Sequence, residues 1–137
     1  MFSFISDPKK TRPLFASVSA GFPSPAADHM ECALDLNDYL IERPAASFFV
    51  RVSGHSMTDA GIYDGDILVV DRSIKPAHKQ IVLAVIEGDF TVKYLMEENN
   101  CWALVPAHKD YEPIKLTHRT DCQIWGTAVG VIRRLLP

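Results

Sequence analysis

The chain has 137 residues, of which 47% are hydrophobic and 23% are charged, so a single domain with its own core is expected. A formal net charge of −3 and a pI near 5.9 exclude a generally basic surface of the kind that binds nucleic acid directly. No apolar run approaches a membrane span, and the N-terminal residues become polar too early for a secretory signal. We therefore expect a cytoplasmic protein that contacts neither DNA nor membrane directly.

Residues 1–30 differ in composition from the rest of the chain. They show no sustained hydrophobic period, and they contain four prolines: Pro8, Pro13, Pro23 and Pro25. Proline lacks the amide that a sheet ladder needs and disfavours helix in the residue before it. We predict a flexible, extended N-terminal arm over residues 1–30, and composition leaves a disordered tail as the alternative.

Residues 31–137 are predicted to form a β-rich domain. After a short helix within residues 34–42, the predicted strands cover residues 48–52, 67–71, 81–86, 91–95, 102–105, 114–116 and 124–132. The sequence Glu87-Gly88-Asp89 between the third and fourth strands is typical of a hairpin turn. Short apolar runs between frequent turn residues indicate a mostly β fold.

A serine on a tight turn and a lysine in an apolar run are the most informative residues. Ser56 lies in Ser53-Gly54-His55-Ser56-Met57, and Lys93 lies in the apolar run at 90–95. A serine hydroxyl is a weak nucleophile until a base takes its proton, and a neutral lysine can be that base. Burial can lower a lysine pKa from ~10.4 toward neutrality. The two residues therefore form a candidate Ser-Lys dyad, and an edge-strand lysine pointing to water is the alternative.

A pair of small residues within the arm is a candidate substrate for this dyad. Ala20-Gly21 lies in a segment predicted to be loose. Small side chains let the main chain approach a nucleophile in a narrow cleft. The Ala20-Gly21 peptide bond is therefore the predicted site of self-cleavage.

The segment around Ser56 closely resembles the peptidase signature of the LexA/UmuD family. The matching residues are Ser53-Gly54-His55-Ser56-Met57-x-Asp59-x-Gly61-Ile62-x-Asp64-Gly65-Asp66-x-Leu68-x-Val70-Asp71. Lys93 falls at the distance expected in the family, and residues 22–28 resemble the segment that follows the UmuD cleavage site. The resemblance covers nearly the whole chain. No winged-helix domain precedes the matched region, which points to a UmuD-type polymerase accessory protein rather than a repressor.

The resemblance implies a fold, an activity and a set of partners. It implies a LexA/signal-peptidase-like β domain that forms a homodimer and cuts itself when bound to a RecA filament on single-stranded DNA. Ser56 would be the nucleophile and Lys93 the general base, with the amides of His55 and Ser56 as the oxyanion hole. The trimmed form, beginning at Gly21, would join a UmuC-type translesion DNA polymerase in the SOS response. No cofactor or metal is expected.

Three alternatives to this interpretation remain at the level of the sequence. His55 departs from the repressor-like pattern and is a rival base, although adjacent residues on a tight turn seldom point at each other. The chain could be a non-enzymatic binding module of a polymerase complex with a vestigial peptidase fold. A membrane-bound signal peptidase also uses Ser-Lys chemistry, but the sequence shows no transmembrane anchor.

The remaining polar residues favour structural roles. The aspartates near the serine do not have EF-hand spacing and are predicted to bond turn amides: Asp59, Asp64, Asp66 and Asp71. The other histidines lack ligand spacing: His29, His78, His108 and His118. An odd number of cysteines, without Cys-x-x-Cys, predicts reduced and buried thiols at Cys32, Cys101 and Cys122. Arg133-Arg134 is predicted to be a solvated end, with contact to an acidic partner as the alternative. Residues 124–132 are predicted to form a central or a dimer-forming strand.

Overall fold

The computed structural model describes residues 10–15, 30–117, 119 and 121–137. The chain divides into two compact units, one up to Glu42 and the other from Arg43 to Pro137. The predicted flexible arm over residues 1–30 and its separation from residues 31–137 stay predictions. Among the described residues, no helix combines the length and the hydropathy that crossing a bilayer requires.

The first unit contains a two-stranded ribbon and a short helix. Strands β1 (Thr11–Phe15) and β2 (Met30–Asp35) are antiparallel, and helix α1 covers Leu36–Leu40. The Asp35 side chain begins the helix by accepting a hydrogen bond from the Asn37 amide at 2.8 Å. Neither strand was predicted, and β1 contains Pro13 and has no alternating pattern. Each strand of a two-stranded ribbon has an unpaired edge, where proline is tolerated.

The second unit is a seven-stranded antiparallel sheet, which confirms the mostly β prediction. Its strands are β3 (Ser47–Arg51), β4 (Ile67–Asp71), β5 (Ile81–Ile86), β6 (Asp89–Glu98), β7 (Cys101–Val105), β8 (Ile114–Lys115) and β9 (Cys122–Ile132). Two 3₁₀ turns, Pro44–Ala46 and Thr58–Ala60, flank β3 on either side in sequence. All seven predicted strands are present, and two of them have the predicted bounds.

Strand β9 lies between β4 and β5 and links two halves of the sheet. The strand order is β3-β4-β9-β5-β6-β7-β8, so β4 and β5 do not pair with each other. Pairing with β4 runs from Ile132 to Thr127, and pairing with β5 runs from Thr127 to Cys122. A Cβ at Gly126 would lie 2.5 Å from Val70 Cγ1, so only glycine fits where β9 approaches β4. Residues 124–132 therefore form a central strand, as one of the two interpretations predicted.

Two apolar clusters fill the second unit. The larger one contains Val52, Met57, Ile62, Leu68, Val70 and Leu83. The smaller one contains Val82, Ala84, Leu95 and Leu104. Alternate residues of β5 join different clusters, because successive side chains on a strand point to opposite faces. The first cluster matters most for function, since Met57 places the end of the serine turn in the core.

Candidate active site

Ser56 lies on a short turn that follows the edge strand β3. We call residues 53–57 the serine turn. Gly54 has φ +92°, a left-handed conformation that glycine adopts without steric cost. Met57 ends the turn with only 2% of its surface exposed, because its side chain packs in the larger core cluster. The turn thus has an exposed beginning and a buried end, with Ser56 half-buried between them.

Lys93 lies on β6 and points into the protein, with 8% of its surface exposed. Its Nζ donates to Ser56 Oγ at 2.9 Å, to Thr91 Oγ1 at 2.7 Å and to the Val92 carbonyl at 3.1 Å. Burial lowers the pKa of Lys93 below the ordinary value for lysine, because desolvation disfavours the charged form. The expected burial of Lys93 is confirmed, and the alternative of a solvent-directed lysine is wrong.

The serine and the lysine line one small cavity of about 190 Å³. Its walls come from β3 and the serine turn on one side and from β6 on the other. Phe90 stands at its rim, with 58% of its surface exposed. The Phe90 ring packs edge-on against Trp125 at 5.2 Å, and the Arg72 guanidinium lies 4.8 Å from the Trp125 centroid. The cavity is large enough for a small side chain beside the two polar groups.

Hydrogen bonds from outside the serine turn hold its backbone, and two of them act on Gly54 and Ser56. The Gly54 amide donates to Asp64 Oδ1 at 2.8 Å. The Ser56 carbonyl accepts from the Ala107 amide at 2.7 Å. The first bond was foreseeable from the sequence, since Asp64 was predicted to bind a turn amide. The bond between Ala107 and Ser56 was not foreseeable, because Ala107 is a small residue in a loop far along the chain.

The amides of His55 and Ser56 donate to no acceptor in the part of the chain that the structure describes. They are therefore available to a negatively charged oxygen. The side chain of His55 is exposed, and no hydrogen bond joins it to Ser56 among the described residues. The geometry thus favours Lys93 over His55 as the group that exchanges a proton with Ser56.

Two buried carboxylates brace loops of the second unit. Arg133 binds both oxygens of Asp66, at 2.6 and 2.7 Å, and its guanidinium lies 4.5 Å from the Tyr63 ring centroid. The Arg133 hydrogen bond holds the pKa of Asp66 below its usual value. A hydrogen bond from Ser73, supported by Arg43, does the same for the pKa of Asp71.

Asp66 and Asp71 accept turn amides from Tyr63 and Ser73, as predicted. The prediction that Arg133 is merely solvated is wrong, because it pairs with buried Asp66.

The thiol predictions are only partly correct. Cys32 and Cys101 are exposed rather than buried, and Cys122 is half-buried. Where the structure describes the chain, His, Cys, Asp and Glu residues form no group of three or more that could hold a metal ion.

The predicted cleavage site lies outside the described residues. The structure describes neither Ala20 nor Gly21, and His29 and His118 are also outside the described ranges. The cleavage of the Ala20-Gly21 bond therefore stays a prediction. The residues that would cut it are described, and they form the cavity given above.

Comparison with known proteins gives one family and several relatives. A family described as Peptidase S24-like matches residues 13–129. Protein ImpA from Salmonella typhimurium is 50% identical over 129 residues, which cover 93% of this chain and 88% of ImpA. Protein MucA from Escherichia coli is 44% identical over 111 residues, covering 80% of this chain and 75% of MucA. The LexA repressor from Azoarcus sp. is 40% identical over 122 residues, covering 88% of this chain and 60% of the repressor.

Proposed function

The chain belongs to the peptidase S24-like family, and we propose that it is a self-cleaving serine peptidase that cuts its Ala20-Gly21 bond. One observation carries the proposal. Lys93 Nζ lies 2.9 Å from Ser56 Oγ within one cavity. Burial there disfavours the charged form of the lysine and so lowers its pKa. Family membership supports peptidase chemistry in general, and this contact supports the assignment of nucleophile and base.

The first half of the reaction forms an ester. Neutral Lys93 removes the proton from Ser56 Oγ, which attacks the carbonyl carbon of Ala20. The resulting oxyanion accepts hydrogen bonds from the amides of His55 and Ser56. Removing one oxyanion donor typically costs ~3–4 kcal/mol of transition-state stabilisation. Protonated Lys93 then donates its proton to the Gly21 nitrogen as the peptide bond breaks, leaving Ala20 esterified to Ser56.

The second half releases the arm. Lys93, neutral again, takes a proton from water, and the resulting hydroxide attacks the ester carbonyl. Lys93 returns that proton to Ser56 Oγ as the ester breaks. Residues 1–20 leave with a new carboxylate, and Gly21 becomes the new N-terminus. One buried lysine thus acts as base and acid in turn, which requires a pKa near the working pH.

The proposed biological role is that of a UmuD-type accessory subunit. The resemblance of the serine segment to the LexA/UmuD signature supports this role, as does the similarity to MucA and to a LexA repressor. In this proposal a cytoplasmic homodimer is stimulated by a RecA filament on single-stranded DNA. The trimmed chain then joins a UmuC-type polymerase for translesion synthesis in the SOS response to DNA damage. Direct contact with nucleic acid is not required, consistent with the net charge of −3.

The test is intact-mass analysis of purified wild type, Ser56→Ala and Lys93→Ala at pH 7 and pH 10. We expect a wild-type fragment beginning at Gly21 that forms faster at pH 10, because more Lys93 is then neutral. Neither variant should give the fragment. Lys109→Ala, which removes an exposed lysine, is the matched control and should cleave like wild type.

Two results would contradict the proposal. Full cleavage by Lys93→Ala would exclude the assigned base. The absence of cleavage in all proteins, even with RecA, single-stranded DNA and nucleotide present, would favour a non-enzymatic binding module that keeps the peptidase fold.

A further inference from the structure

We propose that Asp64 is a positioning residue that fixes the serine turn, residues 53–57, for the self-cleavage reaction. This inference rests on the proposed function and adds a residue to it. The observation behind it is the hydrogen bond from the Gly54 amide to Asp64 Oδ1, at 2.8 Å. Asp64 touches none of the reacting groups, so it would act through the backbone of the turn.

The bond restrains the part of the serine turn that has the least other support. Gly54 has φ +92° and no side chain, and a Cβ placed there would meet no atom within 4 Å. Packing therefore does not hold this residue, and glycine is the residue with the most backbone freedom. A hydrogen bond to an ionised acceptor is stronger than one between neutral groups. The carboxylate of Asp64 thus supplies the restraint that packing does not.

The loop that carries Asp64 is itself held on both sides. Asp66 Oδ2 accepts the Tyr63 amide at 2.7 Å, and the Gly65 amide donates to the Val52 carbonyl at 2.8 Å. Arg133 links this loop to the end of β9 by binding Asp66 and by donating to the Gly61 carbonyl at 2.9 Å. Asp64 is therefore presented from a fixed frame, which a positioning residue requires.

Two of the backbone contacts of the serine turn lie on either side of the proposed oxyanion donors. Asp64 accepts the hydrogen bond of the Gly54 amide, and the Ala107 amide donates to the Ser56 carbonyl at 2.7 Å. Between these anchors lie the amides of His55 and Ser56, the proposed oxyanion donors. Losing the Asp64 anchor would let those donors and Ser56 Oγ move relative to Lys93. Burial lowers the pKa of Lys93, and Asp64 takes no part in that shift. The loss of Asp64 should therefore leave the titration of the base unchanged.

The kinetic test measures the first-order rate of self-cleavage against pH in Asp64→Ala, Asp64→Asn and wild type. For Asp64→Ala we expect the alkaline plateau to fall roughly 10- to 100-fold, as for a misplaced reacting group, with the midpoint of the pH profile unchanged. Asp64→Asn retains an oxygen acceptor and should restore most of the rate. Asp59→Ala removes an exposed carboxylate nearby and should match wild type. A wild-type plateau in Asp64→Ala would overturn the inference.

A second measurement tests the anchor without relying on cleavage. Amide hydrogen exchange at Gly54 is followed by NMR in a Ser56→Ala background, with and without Asp64→Ala. We expect exchange to become about tenfold faster in the double variant and to stay slow with Asp64→Asn. Unchanged exchange would overturn the inference. If wild type does not cleave while Gly54 exchange responds, the proposed function fails and Asp64 is only a structural residue.

Discussion

The two halves of the candidate dyad are placed by different means. Lys93 lies within strand β6, opposite Val82 of β5, so the register of the sheet fixes its position. Ser56 lies on a turn beyond the edge strand β3 and depends on individual contacts from Asp64, Ala107 and its buried neighbour Met57. The base is thus part of a cooperative ladder, whereas the nucleophile is held by a few separate bonds.

This contrast indicates where activity can be tuned without loss of the fold. Changes near Lys93 act on a buried group and should alter both chemistry and stability. Changes at the exposed start of the serine turn, such as the Gly54–Asp64 contact, should alter chemistry more than stability, whereas Met57 at its buried end should affect both.

The largest expected effect comes from Lys93→Arg. A guanidinium has a pKa above ~12 and stays protonated, so it cannot accept the Ser56 proton. We expect self-cleavage to fall by at least about 10³-fold at any pH from 7 to 10. Intact mass measures the loss, and Lys109→Arg is the matched control. Rapid cleavage by Lys93→Arg would show that another group is the base.

The next largest effect on cleavage is expected for Met57→Ala in the larger core cluster. Leu104→Ala in the smaller cluster is its comparison. Met57 is 2% exposed and Leu104 is fully buried, so each truncation should cost about 2–5 kcal/mol of unfolding free energy. Only Met57 ends the serine turn. We therefore expect Met57→Ala, but not Leu104→Ala, to slow cleavage in conditions where both remain folded. Urea denaturation and intact mass give the two readouts, and equal slowing would refute the special role of Met57.

A smaller effect is expected on the pH dependence of the unfolding free energy, measured in Ser56→Ala with and without Lys93→Met. Burial puts the folded-state pKa of Lys93 below its unfolded value, so the unfolded chain binds more protons between the two. The free energy of unfolding of the protein that keeps Lys93 should therefore rise with pH between these two pKa values. We expect Lys93→Met to be more stable by about 1 kcal/mol at neutral pH, with the gain shrinking toward pH 10. A gain that does not depend on pH would contradict the burial argument.

The smallest effect is expected for Thr91→Val, which removes the acceptor 2.7 Å from Lys93 Nζ while keeping the shape of the side chain. Lys93 keeps its bonds to Ser56 and Val92, so we expect cleavage to fall by roughly 3- to 10-fold, as for one hydrogen bond. Intact mass over time measures the rate, and Thr117→Val, at an exposed position, is the control. A loss as large as that of Lys93→Arg would make Thr91 essential rather than supportive.

Much of the local structure could be predicted from the sequence. Strands at Ile67–Asp71 and Ile81–Ile86 have the predicted bounds, since runs of β-branched residues lie between turn residues. The apolar neighbours of Lys93 left burial and solvent exposure both open, and the structure shows that it is buried. The bounds of a strand depend on residues close in sequence, so the preferences of single residues predict them well.

Long-range properties were not accessible in the same way. Nothing in the local pattern shows that Arg133 reaches Asp66, because the pair is 67 residues apart in sequence. The Ala107 contact is hidden for the same reason. The contact between Ser56 and Lys93 was expected only through the resemblance to a peptidase signature, since neither residue type is rare on turns or strands.

The position of β9 has a consequence for the timing of synthesis. Strands β3 and β4 flank Ser56 in sequence, and β6, which pairs with β5, carries Lys93. Within the described sheet the two pairs of strands are joined through β9. Translation produces Cys122–Ile132 after all the other strands, and pairings that span such long sequence separations form slowly. A ribosome-bound chain that still lacks β9 would therefore carry both dyad residues without the sheet that brings them together. We expect such nascent chains to keep their N-terminal segment intact until the last strand has joined the sheet.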